Sequence, residues 1–363
     1  MKILFLAPAN NYHTQKWCSY FVSKGYDVNV VSFFPGVIPG VKVHYIDCGV
    51  DANKSDIKKL SYLFQTRRIR NLIKVIKPDI ISVHYASSYG AVAALSGIKG
   101  YFLSIWGADV YEFPEKSYLH EKLIRFSLQR ADTILSTSKA MAIHAGQYTA
   151  KNIHITPFGV KLDVFSPNKR NRKDDTFIIG TVKAIDPKYG IDYLIKAVAI
   201  FKNRHPDVHF QLRIAGKGDY LEEYRTLARS LSIEKETKWL GFISQEDVAR
   251  EWANMDIAVI SSTVESESFG VSAIEAQACG TPLIISDIPG LMEATDPEKT
   301  CLVVKRKNEI EIADALDKLY SDQKLRTYLG SNGIQYVAEH YEYEKCFKAI
   351  ESIFLSHKRG IKQ

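Results

Sequence analysis

Residues 257–285 read "IAVISSTVESESFGVSAIEAQACGTPLII". "IAVISST" is a buried strand and "VESESFG" leaves it as a loop. Val271, Ile274 and Ala278 then recur at helical spacing, and Gly280 stops the helix before "PLIISD" makes the next strand. The helix is expected to begin near Phe269–Val271, with its free N–H groups facing an anion. Glu267 lies just before that start. Glu275 lies about one turn inside, on the apolar face shared with Val271 and Ala278. A carboxylate there is costly unless ligand hydroxyls or a buried Lys or Arg meet it. Glu265 stands one step further out and reads as solvated.

Strands and helices alternate outward from this stretch in both directions. Upstream run "FIIGTVK", "IDYLIKAVAIFKNRH", "VHFQLRIAG", "DYLEEYRTLARSLSI", "TKWLGFI" and "QEDVAREWANM". The polar segment Ser166–Thr176, "SPNKRNRKDDT", is the best linker in the chain. Before it a second series begins with "KILFLAP", "HTQKWCSYFVSKG" and "YDVNVVSF". It continues through "PDIISVHY", the small-residue helix "GAVAALSGIKG", "YFLSIWG" and "TILST". Such alternation builds parallel sheets. The expectation is two doubly wound α/β domains facing a cleft, residues 1–165 and 166–342. The chain ends in helices.

The totals agree. A chain of 363 residues suits two domains, and 46% hydrophobic with 25% charged residues is the balance of a globular protein. There is no run of 18 apolar residues to span a membrane. "MKILFLAPANNYH" reads as a first buried strand rather than a leader peptide. Cys18, Cys48, Cys279, Cys301 and Cys346 are scattered without CxxC spacing, so neither disulfides nor a zinc site are expected and a reducing cytoplasm fits. The net charge of +7 is uneven: +9 over residues 1–165 and −2 over the remainder. Much of the excess lies in Lys58–Lys77, "KKLSYLFQTRRIRNLIKVIK", with apolar residues near helical spacing. It reads either as the solvated face of a surface helix or as a patch for anionic lipid headgroups or a phosphate-bearing acceptor. No recognition motif for nucleic acid accompanies it.

Ligands of doubly wound sheets bind beyond the carboxyl ends of the strands, so residues just after strands are the candidates. After "FLAP" there is no GxGxxG, which removes the main support for a dinucleotide oxidoreductase. Asn11 and His13 are a polar cluster there, a helix cap or an acceptor contact. His84 ends one strand and Asp109 follows another; each reads as a structural group or as a polar group of the site. Lys183 and Lys188 stand at a strand-to-helix junction that suits a diphosphate, or are two loop lysines. Gly216 opens a Gly-x-Gly turn that lets backbone approach a ligand. Phe242 begins another strand-end loop, of the kind that seats a base by backbone contacts.

"ESFGVSAIEAQACGTPLI" resembles the Glu-x7-Glu motif of the retaining family 4 glycosyltransferases, with Glu267 and Glu275 as the pair. "ITPFGVKLDVF" is similar to the interdomain segment of that family, "IGTVKAIDPKYGIDYLIKAV" to its donor-phosphate segment, and "LRIAGKGDY" and "WLGFIS" to the next two loops. "PDIISVHY", "WGADV" and "RADTILSTS" resemble its first domain. The resemblance implies the GT-B fold: two Rossmann-like domains, the acceptor mainly in the first and the donor in the second. A last helix, about residues 343–363, would cross back onto the first domain. It implies that Glu275 binds the ribose and Glu267 the donor sugar near the reacting carbon. Phe269, Gly270 and Val271 would hold phosphates and sugar by backbone N–H groups, with Lys183 and Lys188 on the diphosphate. No metal or other cofactor is implied. The chain departs from the family at Trp106, where many members carry His, in a first loop that is not Gly-rich, and at Lys183, where Arg is frequent.

The expectation is therefore a cytoplasmic retaining hexosyltransferase. It would move a sugar from a nucleotide diphosphate, with UDP as the expected nucleotide, to a saccharide or lipid-linked acceptor in cell-envelope polysaccharide or lipopolysaccharide synthesis. Glu267, Asp109 and His84 are the catalytic candidates. Lys183, Lys188, Gly216, Phe242, Phe269, Gly270, Val271 and Glu275 are the donor-binding candidates, and Asn11 and His13 those for the acceptor. Peripheral contact with the inner face of an anionic membrane would run through the basic first domain. The competing expectations are a sugar-nucleotide epimerase or hydrolase on the same fold, and a non-catalytic sugar-binding protein.

Overall fold

The computed structural model describes residues 1–49, 60–172 and 174–360 of the chain. Lys58 and Lys59 of the basic segment, Lys173 of the polar linker and residues 361–363 lie outside them. The chain forms two units. One holds residues 1–158 together with the chain from Phe347 onward, the other residues 159–346.

The first unit is built on strands β1 (Lys2–Leu6), β2 (Asp27–Ser32), β3 (Lys42–Tyr45), β4 (Ile80–His84), β5 (Tyr101–Ile105), β6 (Thr133–Ser136) and β7 (Ile153–Ile155). They pair in the order β3-β2-β1-β4-β5-β6-β7, all parallel, with Phe5 beside Val30 on one side and Ser82 on the other. The second unit uses β8 (Phe177–Val182), β9 (Phe210–Ala215), β10 (Thr237–Gly241), β11 (Ile257–Ile260), β12 (Leu283–Ser286) and β13 (Cys301–Val304). Their order is β10-β9-β8-β11-β12-β13, again parallel. β4, β5, β11 and β12 are buried along their whole length, which is why they read as continuous apolar runs rather than as alternating ones.

Three local departures from the expected elements have physical causes. β13 was not among the expected strands: "CLVV" is only four residues long and sits at a sheet edge. The helix expected in "GAVAALSGIKG" is short, Ala91–Leu95, and is entered through a wide turn, Tyr85–Gly90. Tyr85 opens that turn with φ of 67°, a backbone state that apolar patterning does not encode. The chain passes from one unit to the other at Phe158, ahead of the polar linker. Val160 pairs with Glu342 and Phe165 is buried, so residues 159–165 belong to the second unit. The linker itself is tied down, since Arg170 and Arg172 both reach Asp256.

The basic segment forms a helix, Thr66–Ile76, that buries Ile69 and Ile76 and exposes Arg67, Arg68, Arg70 and Lys74. The final helix, Tyr343–Gly360, buries Phe347, Ile350 and Phe354. The Phe354 ring stacks on Phe21 at 5.5 Å and packs 4.5 Å from Phe102, while Phe347 lies edge-on to Trp17 at 5.7 Å. Tyr20 donates to Glu351 at 3.0 Å on the same helix. Among the described residues no helix is long and apolar enough to cross a membrane.

Candidate functional site

Strand order reverses between β1 and β4 in the first unit and between β8 and β11 in the second. In each unit the switch point opens a crevice beyond the carboxyl ends of its own strands. In the first unit Asn11 and His13 follow β1 and His84 ends β4; in the second Lys183 and Lys188 follow β8 and Glu267 follows β11.

In the second unit Lys183 and Glu267 meet. Lys183 Nζ lies 2.8 Å from Glu267 Oε2, with only 10% and 9% of the two side chains exposed. Ser262 donates to the same carboxylate oxygen at 3.5 Å. Two ammonium groups lie over the Tyr189 ring, Lys183 Nζ at 4.9 Å and Lys188 Nζ at 5.2 Å from its centroid, a cation–π arrangement. Thr263 N–H donates to the Lys188 carbonyl at 2.8 Å, so the loops after β8 and β11 are joined by backbone.

The helix foreseen in residues 271–280 runs Val271–Ala278. Its cap, Gly270, has φ of 73° and offers no side chain to the first N–H groups. A Cβ on Gly270 would come 2.8 Å from Leu291 Cδ2, so the left-handed turn is also a close approach. Ser272 donates to the Val182 carbonyl at 3.2 Å and ties the helix start to the end of β8. Phe269 is buried with its ring edge-on to Tyr341, which leaves its backbone as the part able to face a ligand. Glu275 is 8% exposed inside the helix, and its charge adds to burial in pushing the Cys279 thiol up to about 12. Glu265 is half exposed and reaches Arg306 at 3.4 Å, the solvated position expected for it.

Gly216 has a reason beyond ligand approach. A Cβ there would collide with the Lys183 carbonyl oxygen, and Gly216 N–H donates to Gly241 at 2.8 Å. Phe242, next in the chain, is exposed, with Lys217 Nζ 5.2 Å from its ring.

In the first unit Asn11 caps the helix Tyr12–Ser23: its Oδ1 accepts from His13 N–H at 2.8 Å and Thr14 N–H at 3.2 Å. Its Nδ2 donates to the Tyr85 hydroxyl at 3.3 Å. His13 stacks on Phe158 with centroids 4.0 Å apart. His84 is fully buried, 4.4 Å from Trp106 and 4.9 Å from Trp17. Burial, then the Lys16 charge, lowers His13 to about 3; burial, then His13, lowers His84 to about 3. Both imidazoles are neutral near pH 7, and among the described residues neither Nδ1 has a hydrogen-bond partner. Asp109 is buried and accepts from Ala86 N–H at 2.8 Å, Trp106 N–H at 3.1 Å and Gly107 N–H at 3.0 Å. It thereby clamps the loops after β4 and β5 together. Burial pushes its carboxyl above the ordinary range, and the backbone donors pull it down.

Residues 165–336 match the family model for group 1 glycosyl transferases, and residues 2–138 match the one for glycosyl transferase 4-like domains. The second unit thus matches the group 1 glycosyl transferases and the first the glycosyl transferase 4-like domains, and the two matches together take in most of the chain. An uncharacterised glycosyltransferase of Methanocaldococcus jannaschii is 32% identical over 50% of this chain and 45% of its own length. A D-inositol 3-phosphate glycosyltransferase of Pseudarthrobacter chlorophenolicus is 29% identical over 80% of this chain and 75% of its own. Against the first two curated relatives the match spans about half of their length, 45% and 51%. Among solved structures, a sucrose-phosphate synthase of Thermosynechococcus elongatus superposes with a TM-score of 0.84 at 19% identity, covering 98% of each chain. HepE of Anabaena, solved with UDP-glucose, gives 0.81 at 18% identity over 98% of this chain and 100% of its own. These likenesses show the GT-B fold.

Several residues of this candidate site were not singled out from the sequence. Tyr189 and Ser262 gain their places only when the loops after β8 and β11 are brought together. The signal for Tyr189 was present, since it stands beside Lys188 in "DPKYG". Tyr85, Trp17 and Phe158 had none, because their roles are contacts with residues far away in the chain.

Proposed function

We propose that the chain transfers a sugar from a nucleotide diphosphate to a saccharide or lipid-linked acceptor of the cell envelope, with retention at the anomeric carbon. One observation carries the reading: the buried Lys183–Glu267 pair beside the uncapped start of the helix Val271–Ala278. A diphosphate entering there meets Lys183, Lys188 and the N–H groups at Phe269, Gly270 and Val271. These stabilise the negative charge that develops as the bond from the anomeric carbon to the diphosphate breaks. No metal or other cofactor has a part in this reading. Lys183 turning to phosphate releases Glu267 to the donor sugar. Glu275 takes the ribose hydroxyls, and the backbone at Gly216 and Phe242 borders the base.

The first unit supplies the acceptor side, with Asn11 and His13 near the acceptor. Asp109 shapes the two loops it clamps, and His84 acts by positioning Trp106. UDP is taken as the nucleotide because HepE, of the same fold, was solved with UDP-glucose. A cell-envelope acceptor is supported by WaaG, another neighbour of this fold, which is described as taking part in lipopolysaccharide biosynthesis. The basic first half suits a peripheral, inner-face membrane location, where binding to anionic vesicles is expected to weaken with salt.

The test is calorimetry with UDP, GDP and ADP, followed by turnover of the corresponding sugar nucleotides with envelope acceptors. Binding of none of the three nucleotides would sink the proposal. Epimerised donor in place of a glycosidic product would replace it with an epimerase.

A further inference from the structure

The first unit contains a cavity of about 720 Å³, within the range of roughly 300–1,000 Å³ common for small-molecule sites. Its floor and its mouth differ in chemistry. Asp109, 4% exposed, lies at the buried end, and the half-buried Ser87 and Ser88 belong to the same lining. Phe34, Tyr62, Leu63, Phe113 and Leu123 make an apolar wall. Leu119, 75% exposed, stands at the mouth beside the exposed Lys116 and Glu112. The neighbours of the mouth in the chain continue its character: Tyr118 and Phe64 are exposed aromatic rings, and Lys122, Arg67 and Arg68 are exposed cations. Among the described residues the buried Tyr62 hydroxyl has no hydrogen-bond partner, and Tyr62 is 4% exposed. A buried hydroxyl without a partner is costly, and a ligand oxygen would satisfy it.

We propose that this cavity holds the hydrocarbon chain of a lipid-linked acceptor, whose polar head lies toward Asp109, Ser87 and Ser88. The inference rests on the transferase reading and selects one of its two acceptor classes. An apolar wall matches a chain that has no hydrogen bonds to lose. A mouth that mixes exposed apolar side chains with lysines and arginines matches a ligand drawn from an anionic lipid surface.

The test is calorimetric titration of the full chain with n-butyl, n-hexyl, n-octyl and n-decyl glucosides below their micellar concentrations, with phenyl glucoside and glucose as controls. The inference expects affinity to rise about fourfold per methylene until the cavity is full. Leu119→Glu, at an exposed position where folding is not at risk, should weaken n-decyl glucoside about tenfold and leave UDP affinity unchanged. A second variant, Ser88→Trp, fills the cavity and should flatten the dependence on chain length. Equal affinity for butyl and decyl chains, or binding of phenyl glucoside without decyl, overturns the inference. If UDP binds and the alkyl series is flat, the cavity inference falls alone. If the alkyl series rises and no nucleotide binds, the transferase reading falls and the cavity stands.

Discussion

Lys183 Nζ and Glu267 Oε2 stand 2.8 Å apart, with about nine-tenths of each side chain buried, although 84 positions separate them in the chain. The pair joins the ends of two neighbouring strands, β8 and β11. The residue expected on the phosphates and the residue expected on the sugar therefore neutralise each other. Under the proposed function, donor binding exchanges this partnership.

Breaking the pair from one side should leave a buried charge unmatched. Lys183→Met alone is expected to cost about 3–5 kcal/mol of stability, and the double variant Lys183→Met/Glu267→Leu distinctly less. Urea unfolding of the singles and the double measures the coupling. Additive losses would show that the two side chains act independently.

Glu267→Gln frees the Lys183 ammonium from a competing carboxylate. UDP affinity should hold or rise, while transfer falls by roughly a hundredfold or more. Calorimetry with UDP and a product assay separate the two effects. Parallel loss of binding and turnover would place Glu267 in the scaffold instead.

Glu275→Gln should weaken UDP by roughly ten- to a hundredfold, the magnitude of hydrogen bonds to a charged group, and leave pyrophosphate affinity unchanged. Competition titrations with both ligands check this. Equal losses for the two would remove Glu275 from the ribose.

His13 and His84 titrate at about 3 in the folded protein against 6.5 when exposed. The unfolded chain thus binds more protons between those values, so stability is full above pH 6.5 and declines as pH falls toward 3. Each histidine contributes on the order of 1.4 kcal/mol per pH unit in that window. Unfolding followed from pH 7 to pH 4.5 should show a shallower slope in His84→Asn than in the parent chain. An unchanged slope would mean that His84 accepts a proton inside the fold.

The alternation of elements was legible because parallel strands covered on both faces must be apolar throughout, and the helices between them carry their own stop signals, as at Gly280. The same local rules placed Glu267 before a helix, put Glu275 inside it and demoted Glu265. β13 escaped because four residues at a sheet edge carry little pattern. The early passage between units at Phe158 escaped because Val160 pairs with Glu342, far along the chain.

The chain order of strands and helices, the helix start at Gly270 and the spacing of the two glutamates are properties of neighbours in sequence, and the sequence by itself determined them. Which charge meets which was decided by the tertiary structure alone. Lys183 faced a diphosphate in the sequence reading and faces Glu267 in the fold. Asp109 was an isolated acid after a strand and proves to be the acceptor for three backbone N–H groups from two loops. The physical reason is that burial makes an unpaired charge or an unmatched N–H costly, so each is satisfied by whatever the crossovers of the sheet bring within reach. That reach is set by strand order, which local sequence does not encode.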